Sequence, residues 1–237
     1  MMLDAVGVRE GSIVLRNYIT CEQLSSLTKG TVLEGYVQED DDPVGLQGKL
    51  LSLAERPRQS RPGPGTISID TAFNVRGIGA VALGTVKSGT IRKHDLLRVL
   101  PGTATTEVRS IQKHDEDFED AGVGDHIGVA LKGVEAEALE RGSVLTADST
   151  LKLTTEIDAE AHLFPYFQTP LMPGATIHLG HWLQYSLARI EAVEGEGRSA
   201  RFKVHLDRPL VHPPGAKAVI THIDSPKLRV AGTIELP

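Results

Sequence analysis

The chain has 237 residues, of which 40% are apolar and 24% are charged, the composition of an ordinary soluble protein with one or two domains. Its net charge of −6 argues against a strongly basic nucleic-acid-binding protein. Its aromatic content of 4% argues against a stacking platform for single strands. Cys21 is the only cysteine, no apolar run is long enough to span a bilayer, and no signal peptide is visible. The sequence therefore predicts a cytoplasmic protein with no membrane partner.

Residues 1–55 are predicted to form a small α/β segment. Residues 12–19 and 31–37 have the character of strands. Between them, Thr20 is placed to cap a short helix, and Gln23 three residues later completes a capping-box pattern. Two strands and two short helices cannot bury a large core, so we expect this segment to pack on the rest of the chain or on a partner.

Three aspartates, residues 40–42, precede the second predicted helix. Asp42 is expected to cap this helix and Pro43 to occupy its first turn. The aspartates could hold a metal ion, but a solvated turn with a helix cap is the favoured interpretation. The helix is expected to stop before Pro57. Its leucines recur at helical spacing: Leu46, Leu50 and Leu53.

Residues 56–65 are predicted to be a fairly stiff linker. The stretch holds three prolines, two glycines and three arginines, with no apolar residue. Its arginines could contact phosphate, although a solvated hinge is the favoured interpretation.

Residues 66–149 are predicted to form a β-barrel, because several short strands recur at regular spacing with turn residues between them. The clearest strand carries Ile127, Val129 and Leu131 in alternation with small or polar residues, which is the period of a half-buried strand. Further strands are expected at residues 96–100 and 105–112, and one helical turn at residues 135–139.

Residues 150–237 are predicted to form a second all-β unit. Apolar and polar residues alternate in three runs, and the turns between strands are rich in proline and glycine. The alternating apolar residues are Ile157, Ala159, Ala161 and Leu163, then Leu183, Tyr185 and Leu187, then Ala200, Phe202, Val204 and Leu206.

Three short motifs in the middle of the chain together resemble the second domain of the elongation factor Tu family of translational GTPases. The first is Arg-Gly-Ile-Gly at residues 76–79 with the glycine-spaced strand after it. The second is Gly-Asp-His-Ile-Gly at residues 124–128, and the third is Glu-Arg-Gly-Ser-Val-Leu at residues 140–145. No single motif is specific, but their order is. Residues 110–114 look more like the selenocysteine-specific branch than elongation factor Tu itself.

The resemblance implies a mainly β fold, with two consecutive β-barrels preceded by a small α/β N-terminal segment. The second barrel is similar to the family's third domain at residues 172–174 and 232–234, and residues 1–55 resemble the C-terminal part of a GTPase domain. The phosphate-binding motif G-x-x-x-x-G-K-[ST] and the guanine-reading motif N-K-x-D are absent. GTP and Mg²⁺ are therefore cofactors by family resemblance alone. We expect this chain to bind no cofactor and to be no enzyme unless an upstream domain supplies the site.

In the family, the second domain receives the 3′ end of an aminoacyl-tRNA. By motif position, this implies Gln112, His114 and His126 as nucleic-acid contacts, with Arg76 as a further contact or as a brace of the barrel. The acidic residues 115–117 follow, where elongation factor Tu often has a basic residue, and they would repel phosphate. The implied partner is tRNA or the ribosome, and not DNA. The alternative is a protein–protein interaction module that partners or regulates an intact translational GTPase.

No catalytic or metal site is predicted. His178 and His181 are three residues apart, a spacing that could hold a metal on a helix, but the alternation around them indicates a strand. No Ser-His-Asp or Cys-His arrangement can be assembled. Arg141 is expected to pair with a carboxylate and to order its loop.

Overall fold

The computed structural model describes residues 2–55, 63–195, 197–226 and 228–237. Contacts divide the chain into two compact units, residues 1–58 and residues 59–237. Residues 56–62 of the predicted linker, including its three arginines, lie outside the described residues. In the described ranges, no helix is both long enough and apolar enough to cross a membrane.

The N-terminal unit is a small α/β segment, as predicted. Its two strands are parallel, with Ser12 opposite Val37. In chain order its elements are α1 (Met2–Ala5), β1 (Ser12–Val14), α2 (Cys21–Thr28), a 3₁₀ helix (Val32–Gly35), β2 (Val37–Glu39) and α3 (Pro43–Ala54).

The first strand predicted for this unit was too long, and the second was misplaced. Strand β1 ends at Val14, and the backbone leaves the extended region soon after, because Asn17 and Tyr18 have φ values of 59° and 62°. The prediction of a strand over residues 31–37 was wrong. A 3₁₀ helix forms there, since the Thr31 hydroxyl accepts a backbone N–H two residues on and starts a turn.

Both predicted helix starts are confirmed. The Thr20 side chain accepts a backbone N–H from Gln23, and the Gln23 side chain accepts the Thr20 N–H at 3.0 Å, which is a complete capping box. The Asp42 carboxylate accepts two backbone N–H groups in the first turn of α3, and Pro43 is its first residue. Asp42 therefore has the capping role that the sequence predicted.

The N-terminal unit has almost no buried residues. Among residues 2–55, only Thr28 is buried. Large apolar side chains are exposed instead, to 78% for Leu27 and 67% for Leu50. Hydrophobic burial inside the unit can therefore contribute little to its stability. This agrees with the expectation that the segment needs other protein to cover it.

A closed ring of six strands forms the first barrel. Its pairing order is β3, β4, β10, β7, β6 and β11, and β11 pairs again with β3. Strand β8 pairs with the end of β7 in an antiparallel hairpin, and β5 pairs with β9. The strands are β3 (Thr66–Val75), β4 (Gly79–Ser88), β5 (Thr90–Arg92), β6 (Leu96–Leu100), β7 (Thr105–Lys113), β8 (Glu116–Phe118), β9 (Asp120–Gly122), β10 (His126–Lys132) and β11 (Val144–Thr146).

The core of this barrel uses the alternating residues that the sequence indicated. Ile127, Val129 and Leu131 are at most 3% exposed and lie in one apolar cluster. Ala130, which faces outward, is also buried, because its small side chain lies between neighbouring strands. The predicted helical turn is present as a 3₁₀ helix at Ala136–Ala138.

The second barrel is a closed ring of six strands. Ile157, Ala161, Phe202 and Val204 are at most 1% exposed, which confirms the inward phase of the first and third predicted runs. The strands are β12 (Lys152–Leu163), β13 (Thr176–His181), β14 (Gln184–Glu194), β15 (Ser199–His212), β16 (Lys217–Thr221) and β17 (Val230–Glu235).

The second run lies on a strand, as predicted, but its apolar residues face outward, unlike those of the other two runs. Tyr185 and Leu187 face outward and are 55% and 39% exposed, whereas Gln184 is buried. Strand β14 alternates with period two, and Ile190 at 0% exposure fixes its even-numbered residues as the inward set. Gln184 can be buried because both polar atoms of its side-chain amide are satisfied: Nε2 donates to the Val211 carbonyl, and Oε1 accepts the Val211 N–H.

The two barrels pack against each other inside one unit. Leu100 and Val144 from the first barrel form a small buried cluster with Leu151 and Val211, and Trp182 packs on it. This apolar cluster joins the two barrels.

Candidate nucleic-acid interface on the first barrel

Four adjacent strands, β3, β4, β10 and β7, give the first barrel a continuous outer face. Residues that lie opposite each other on neighbouring strands share one side of a sheet, so this face is built from cross-strand rows. The outward residues, which we call the strand face, are Thr71, Phe73, Val81, Leu83, Thr85, Ser110, Gln112, His126, Gly128 and Ala130.

The central row of the strand face is low at its middle. Leu83 lies opposite Gly128, and Gly128 lies opposite Gln112. A Cβ on Gly128 would lie 3.3 Å from Leu83 Cδ2, so the Leu83 side chain lies over part of this glycine. A larger residue at position 128 would have to displace it. Two strand spacings separate the backbones of Leu83 and Gln112 by about 10 Å.

A second row lies beside the central row. It runs through Phe73, Val81, Ala130 and polar Ser110 on the four strands. Phe73 is 43% exposed, whereas Ala130 is buried. Exposed aromatic and aliphatic side chains provide a surface on which an unstacked base can rest.

Gln112, one of the predicted contacts, is exposed at the end of the central row. Its Nε2 donates to Asp117 Oδ1 at 3.0 Å, across the hairpin that joins β7 and β8. Residues 115–117, the acidic run expected to repel phosphate, therefore include a residue that is hydrogen-bonded to a predicted RNA contact.

His126 shares the strand face with Gln112, whereas His114 does not. The His126 ring is exposed, and its Nδ1 lies 3.4 Å from Thr85 Oγ1. His114 occupies the turn after β7, where it and Asp115 have φ values of 51° and 66°. Both values belong to the left-handed turns that connect tight hairpins. The structure thus brings two of the predicted contacts together and places the third in a turn beyond the strand.

Arg76, the fourth predicted contact, lies at the opposite end of the strand face. It is exposed in the turn between β3 and β4. Arg109 braces this turn, since its guanidinium donates to the Ile78 carbonyl at 3.0 Å. Arg109 is the extra residue of a β-bulge in β7, and a bulge re-aims the side chain it inserts.

The charges differ between the two ends of the strand face. Residues 115–117 make the Gln112 end acidic, whereas the turn end carries both signs: Arg76 and Arg109 lie there, and Glu137 accepts a hydrogen bond from Asn74 Nδ2 at 2.9 Å. Lys113, beside the acidic run, is neutralised by Asp125, since its Nζ lies 3.1 Å from Oδ2. A phosphate group is therefore disfavoured at the Gln112 end of the strand face, and, among the described residues, the only arginines of the face, Arg76 and Arg109, lie at the other end.

A further carboxylate on β7 is satisfied by neighbouring cations. The His94 ring donates to Glu107, and Lys132 Nζ lies 3.4 Å from its other oxygen. The His94 hydrogen bond, followed by the charge of Lys132, lowers the pKa of Glu107 from its usual value. This carboxylate is ionised at neutral pH and adds little repulsion of its own.

Two further predictions concern residues away from the strand face. Arg141 pairs with a carboxylate, as predicted: its NH1 lies 2.6 Å from Asp70 Oδ1. The contact is an ion pair, because its geometry does not make an aligned hydrogen bond for that oxygen. His178 and His181 lie on a strand, as predicted, and three residues on a strand separate opposite faces. Among the described residues, no group of His, Cys, Asp or Glu has the arrangement of a metal site.

Sequence reasoning missed the apolar half of the strand face. Phe73, Val81, Leu83 and Gly128 come together only through the pairing of three strands. A signal was present in β4, where Val81 and Leu83 alternate with buried Ala82. A strand with apolar residues on both faces indicates that its outer face is also covered by a contact.

The comparisons with known proteins match this architecture. Residues 79–146 match the family described as elongation factor Tu domain 2. The selenocysteine-specific elongation factor of Methanocaldococcus jannaschii is 33% identical over 184 residues, which cover 69% of this chain and 39% of that protein. The chain belongs to the elongation factor Tu and selenocysteine-specific elongation factor family. An uncharacterised protein of the same organism is 32% identical over all 237 residues, or 74% of its own length.

The fold is also that of a solved family member. The apo crystal structure of translation elongation factor SelB from Methanococcus maripaludis superposes with a TM-score of 0.82 at 23% identity, over 99% of this chain and 59% of that one. The chain therefore spans only part of the selenocysteine-specific factors that it matches. Within this family, the barrel with the strand face is the one that resembles elongation factor Tu domain 2.

Proposed function

We propose that this chain is a translation-factor-like protein that binds the acceptor end of an aminoacyl-tRNA on the strand face. The observation that carries the proposal is the composition of that face. Apolar Phe73 and Leu83, Gly128 with no side chain of its own, and polar Gln112 and His126 lie side by side on one barrel. A single-stranded RNA end is recognised by stacking on apolar side chains and by hydrogen bonds to exposed base edges.

The charge distribution supports one orientation of the RNA. The phosphate backbone approaches the turn with Arg76 and Arg109, and the terminal nucleoside rests near Gln112. In this orientation the phosphates stay away from the acidic residues 115–117, which repel them. A ribosomal RNA segment with an unstacked end would meet the same chemistry, so the ribosome is the second partner in this proposal. Both partners imply action in the cytoplasm.

We further propose that the chain by itself hydrolyses no GTP. Phosphate binding in this family needs the motif G-x-x-x-x-G-K-[ST], and the sequence lacks it. Phosphate release from GTP by the purified chain should therefore equal that of a buffer control. Turnover above that control would contradict the proposal.

Binding of aminoacyl-tRNA in a gel-shift or anisotropy titration tests the main proposal. We expect a saturable complex at about 50 mM salt that weakens steeply toward 200 mM, because the turn end of the face contacts phosphate. Deacylated tRNA serves as the comparison. Absence of any complex at low salt would overturn the RNA function.

A matched pair of variants assigns the binding to the strand face. Phe73 and Leu153 have nearly equal exposure, 43% and 44%, on different barrels. We expect Phe73→Ala to weaken tRNA binding about tenfold, since stacking of one base on an aromatic ring is worth about 1–3 kcal/mol. Leu153→Ala should leave it unchanged. Equal losses would place the binding elsewhere.

A second candidate function is a protein–protein module that partners an intact translational GTPase. The observation that favours it is the exposed apolar surface of the N-terminal unit, which includes Leu50 and Leu53 of α3. Co-elution of the purified chain with an intact elongation factor, in the absence of RNA, would support it. The double variant Leu50→Glu and Leu53→Glu should abolish that complex, whereas tRNA recovered in the complex would favour the first function.

A further inference from the structure

The apolar cluster between the two barrels, which we call the joint, includes the single tryptophan of the chain. Both barrels contribute to the joint, which consists of Leu100, Val144, Leu151, Val211 and Trp182. The His181 ring lies against the Trp182 ring, with 4.6 Å between the two centroids. A titratable group of the second barrel is therefore in direct contact with the joint.

The His181 ring is held in its neutral form. Its Nδ1 lies 3.1 Å from the Lys217 carbonyl oxygen, and because a carbonyl can only accept, Nδ1 carries the ring proton. Nε2 is buried and has no hydrogen-bond partner within the described ranges. Burial is the main cause that lowers the pKa of His181 to about 4. A proton on Nε2 would be a buried donor without an acceptor, so the closed joint resists protonation of this ring.

A second neutral histidine directly follows Val211 of the joint. His212 is fully buried, its Nδ1 lies 2.9 Å from the Pro213 carbonyl oxygen, and its Nε2 lies 2.8 Å from Thr154 Oγ1. The first contact requires a proton on Nδ1, so Nε2 accepts from the threonine hydroxyl. Burial lowers the pKa of His212 as well. Both rings therefore fit the closed joint best while they are uncharged.

The first barrel brings a positive charge close to these rings. Lys87 is the extra residue of a β-bulge in β4, because Val86 and Ser88 pair with consecutive residues of β3, and a bulge re-aims the side chain it inserts. Lys87 is half-buried, and burial lowers the pKa of its own ammonium group. The charge of Lys87 also adds to the effect of burial in lowering the pKa of His181, as does that of His212.

No carboxylate compensates the charge of Lys87 in the described part of the chain. Three lysines there are partly buried, and the other two have acidic partners, Lys93 with Glu119 and Lys113 with Asp125. The remaining charged groups near the two rings are Lys152, whose charge also lowers the pKa of His212, and Lys217, whose Nζ lies 3.9 Å from Glu235. The surroundings of the joint therefore offer no acceptor for an additional positive charge.

The joint is small compared with the two barrels that it connects. Each barrel has its own larger apolar core. An ion pair between Glu140 and Arg208 also links the barrels, but its side chains are 72% and 76% exposed, so it adds little stability. Positive charge introduced at the joint should therefore separate the barrels before it unfolds either of them.

We propose that the joint is an acid-sensitive device, in which protonation of His181 and His212 near the ammonium of Lys87 separates two barrels that each stay folded. In the open form the pKa of each ring returns toward its ordinary value of 6.5, so opening takes up protons. The closed form is fully favoured above pH 6.5 and becomes less favoured as the pH falls toward 4. At pH 4 the difference in the pKa of His181 alone shifts the balance toward the open form by about a hundredfold.

Trp182 serves as the reporter in an acid titration of the whole chain from about pH 7.5 to 3.5. As the pH falls from about 6 to 4, we expect its emission maximum to move to longer wavelength and acrylamide to quench it more strongly, while the far-UV circular dichroism of the strands is retained. His181→Phe keeps a ring against Trp182 but cannot take up a proton, so it should lose most of this change. A full change in His181→Phe, or loss of circular dichroism together with the emission change, would overturn the inference.

Two lysine variants remove the same charge at different places and remain informative if His181→Phe does not fold. Lys87→Met should move the midpoint of the Trp182 emission change to lower pH by about half a unit, because one repulsive charge leaves the joint. Lys203→Met, at an exposed position of β15 beside Glu191, should leave the midpoint unchanged. Equal midpoints for the two variants would show that the charge at the joint does not drive the separation, and the inference would then be wrong.

Discussion

Gly142 of the first barrel lies against Gln184 of the second. A Cβ on Gly142 would lie 3.1 Å from Gln184 Cα and 3.1 Å from the Leu183 carbonyl oxygen, and its φ is +90°. Backbone therefore approaches backbone at this point, and no side chain fits between. The glycine in the third family-like motif is thus explained by the contact between barrels as well as by its turn.

Gly142→Ala should lower the free energy of unfolding by about 2–3 kcal/mol. The left-handed φ accounts for about 1 kcal/mol of this loss, and displacement of the Gln184 backbone accounts for the rest. Gly174→Ala is the control, because Gly174 also has φ of +90° but has nothing within 4 Å of its Cβ position. Denaturant titration measures the free energy of unfolding of both variants. Equal losses would show that the second barrel moves away from residue 142 at no cost in stability.

Gln184→Leu should be strongly destabilising although it replaces a polar residue in a buried position. The Gln184 amide donates to the Val211 carbonyl at 2.7 Å and accepts the Val211 N–H at 2.8 Å. Loss of both bonds leaves two buried backbone groups without partners, which costs about 2–4 kcal/mol. Gln112→Leu makes the same chemical change at an exposed position and should change the free energy of unfolding by at most about 0.5 kcal/mol. A neutral Gln184→Leu would mean that Val211 finds other partners.

Acidification should destabilise the protein through His181. Burial, followed by the positive charges of His212 and Lys87, lowers its pKa from 6.5 to about 4, although its hydrogen bond to the Lys217 carbonyl acts in the opposite direction. The unfolded chain therefore takes up a proton from about pH 6.5 downward, while the folded chain does so only near pH 4. This contribution to stability is complete above pH 6.5, is lost as the pH falls to about 4, and amounts to about 2–3 kcal/mol.

The measurement is the free energy of unfolding of the unaltered chain and of His181→Gln between pH 7.5 and 4. We expect the difference between the two curves to change across this window, with the variant less sensitive to acid. His205→Gln, at an exposed position of β15, is the control and should run parallel to the unaltered chain. Parallel curves for His181→Gln would show that this ring is protonated equally in the folded and unfolded states.

Gly128→Val should block the strand face without unfolding the barrel. A valine suits a strand backbone, and its side chain would fill the low middle of the central row between Leu83 and Gln112. We expect tRNA affinity to fall about tenfold or more, while the thermal midpoint changes by a few degrees at most. Ser199→Val, on an exposed strand of the second barrel, should leave affinity unchanged. If Gly128→Val binds tRNA as tightly as the unaltered chain, the central row is not part of the interface.

Local features of the fold were readable from the sequence because they depend on neighbours along the chain. The capping box of Thr20 and Gln23 spans three residues, and the cap at Asp42 spans a single turn. The inward phase of Ile127, Val129 and Leu131 follows from alternation within one strand, and glycine and proline mark the turns. Each of these predictions was confirmed.

Other features depended on partners far along the chain. The face of β14 that turns inward could not be read from its alternation, because Gln184 is buried by hydrogen bonds to Val211, twenty-seven residues away. The bounds of the N-terminal strands were wrong because left-handed residues and a 3₁₀ turn interrupt short runs that look extended.

The sequence by itself determined the family, the mainly β fold and two members of the strand face, Gln112 and His126, because motifs and alternation are properties of short segments. Only the tertiary structure decided which residues share a row with them. Leu83 and Gly128 reach Gln112 through the register of two strand pairings, and register is set by ring closure, which short segments do not encode.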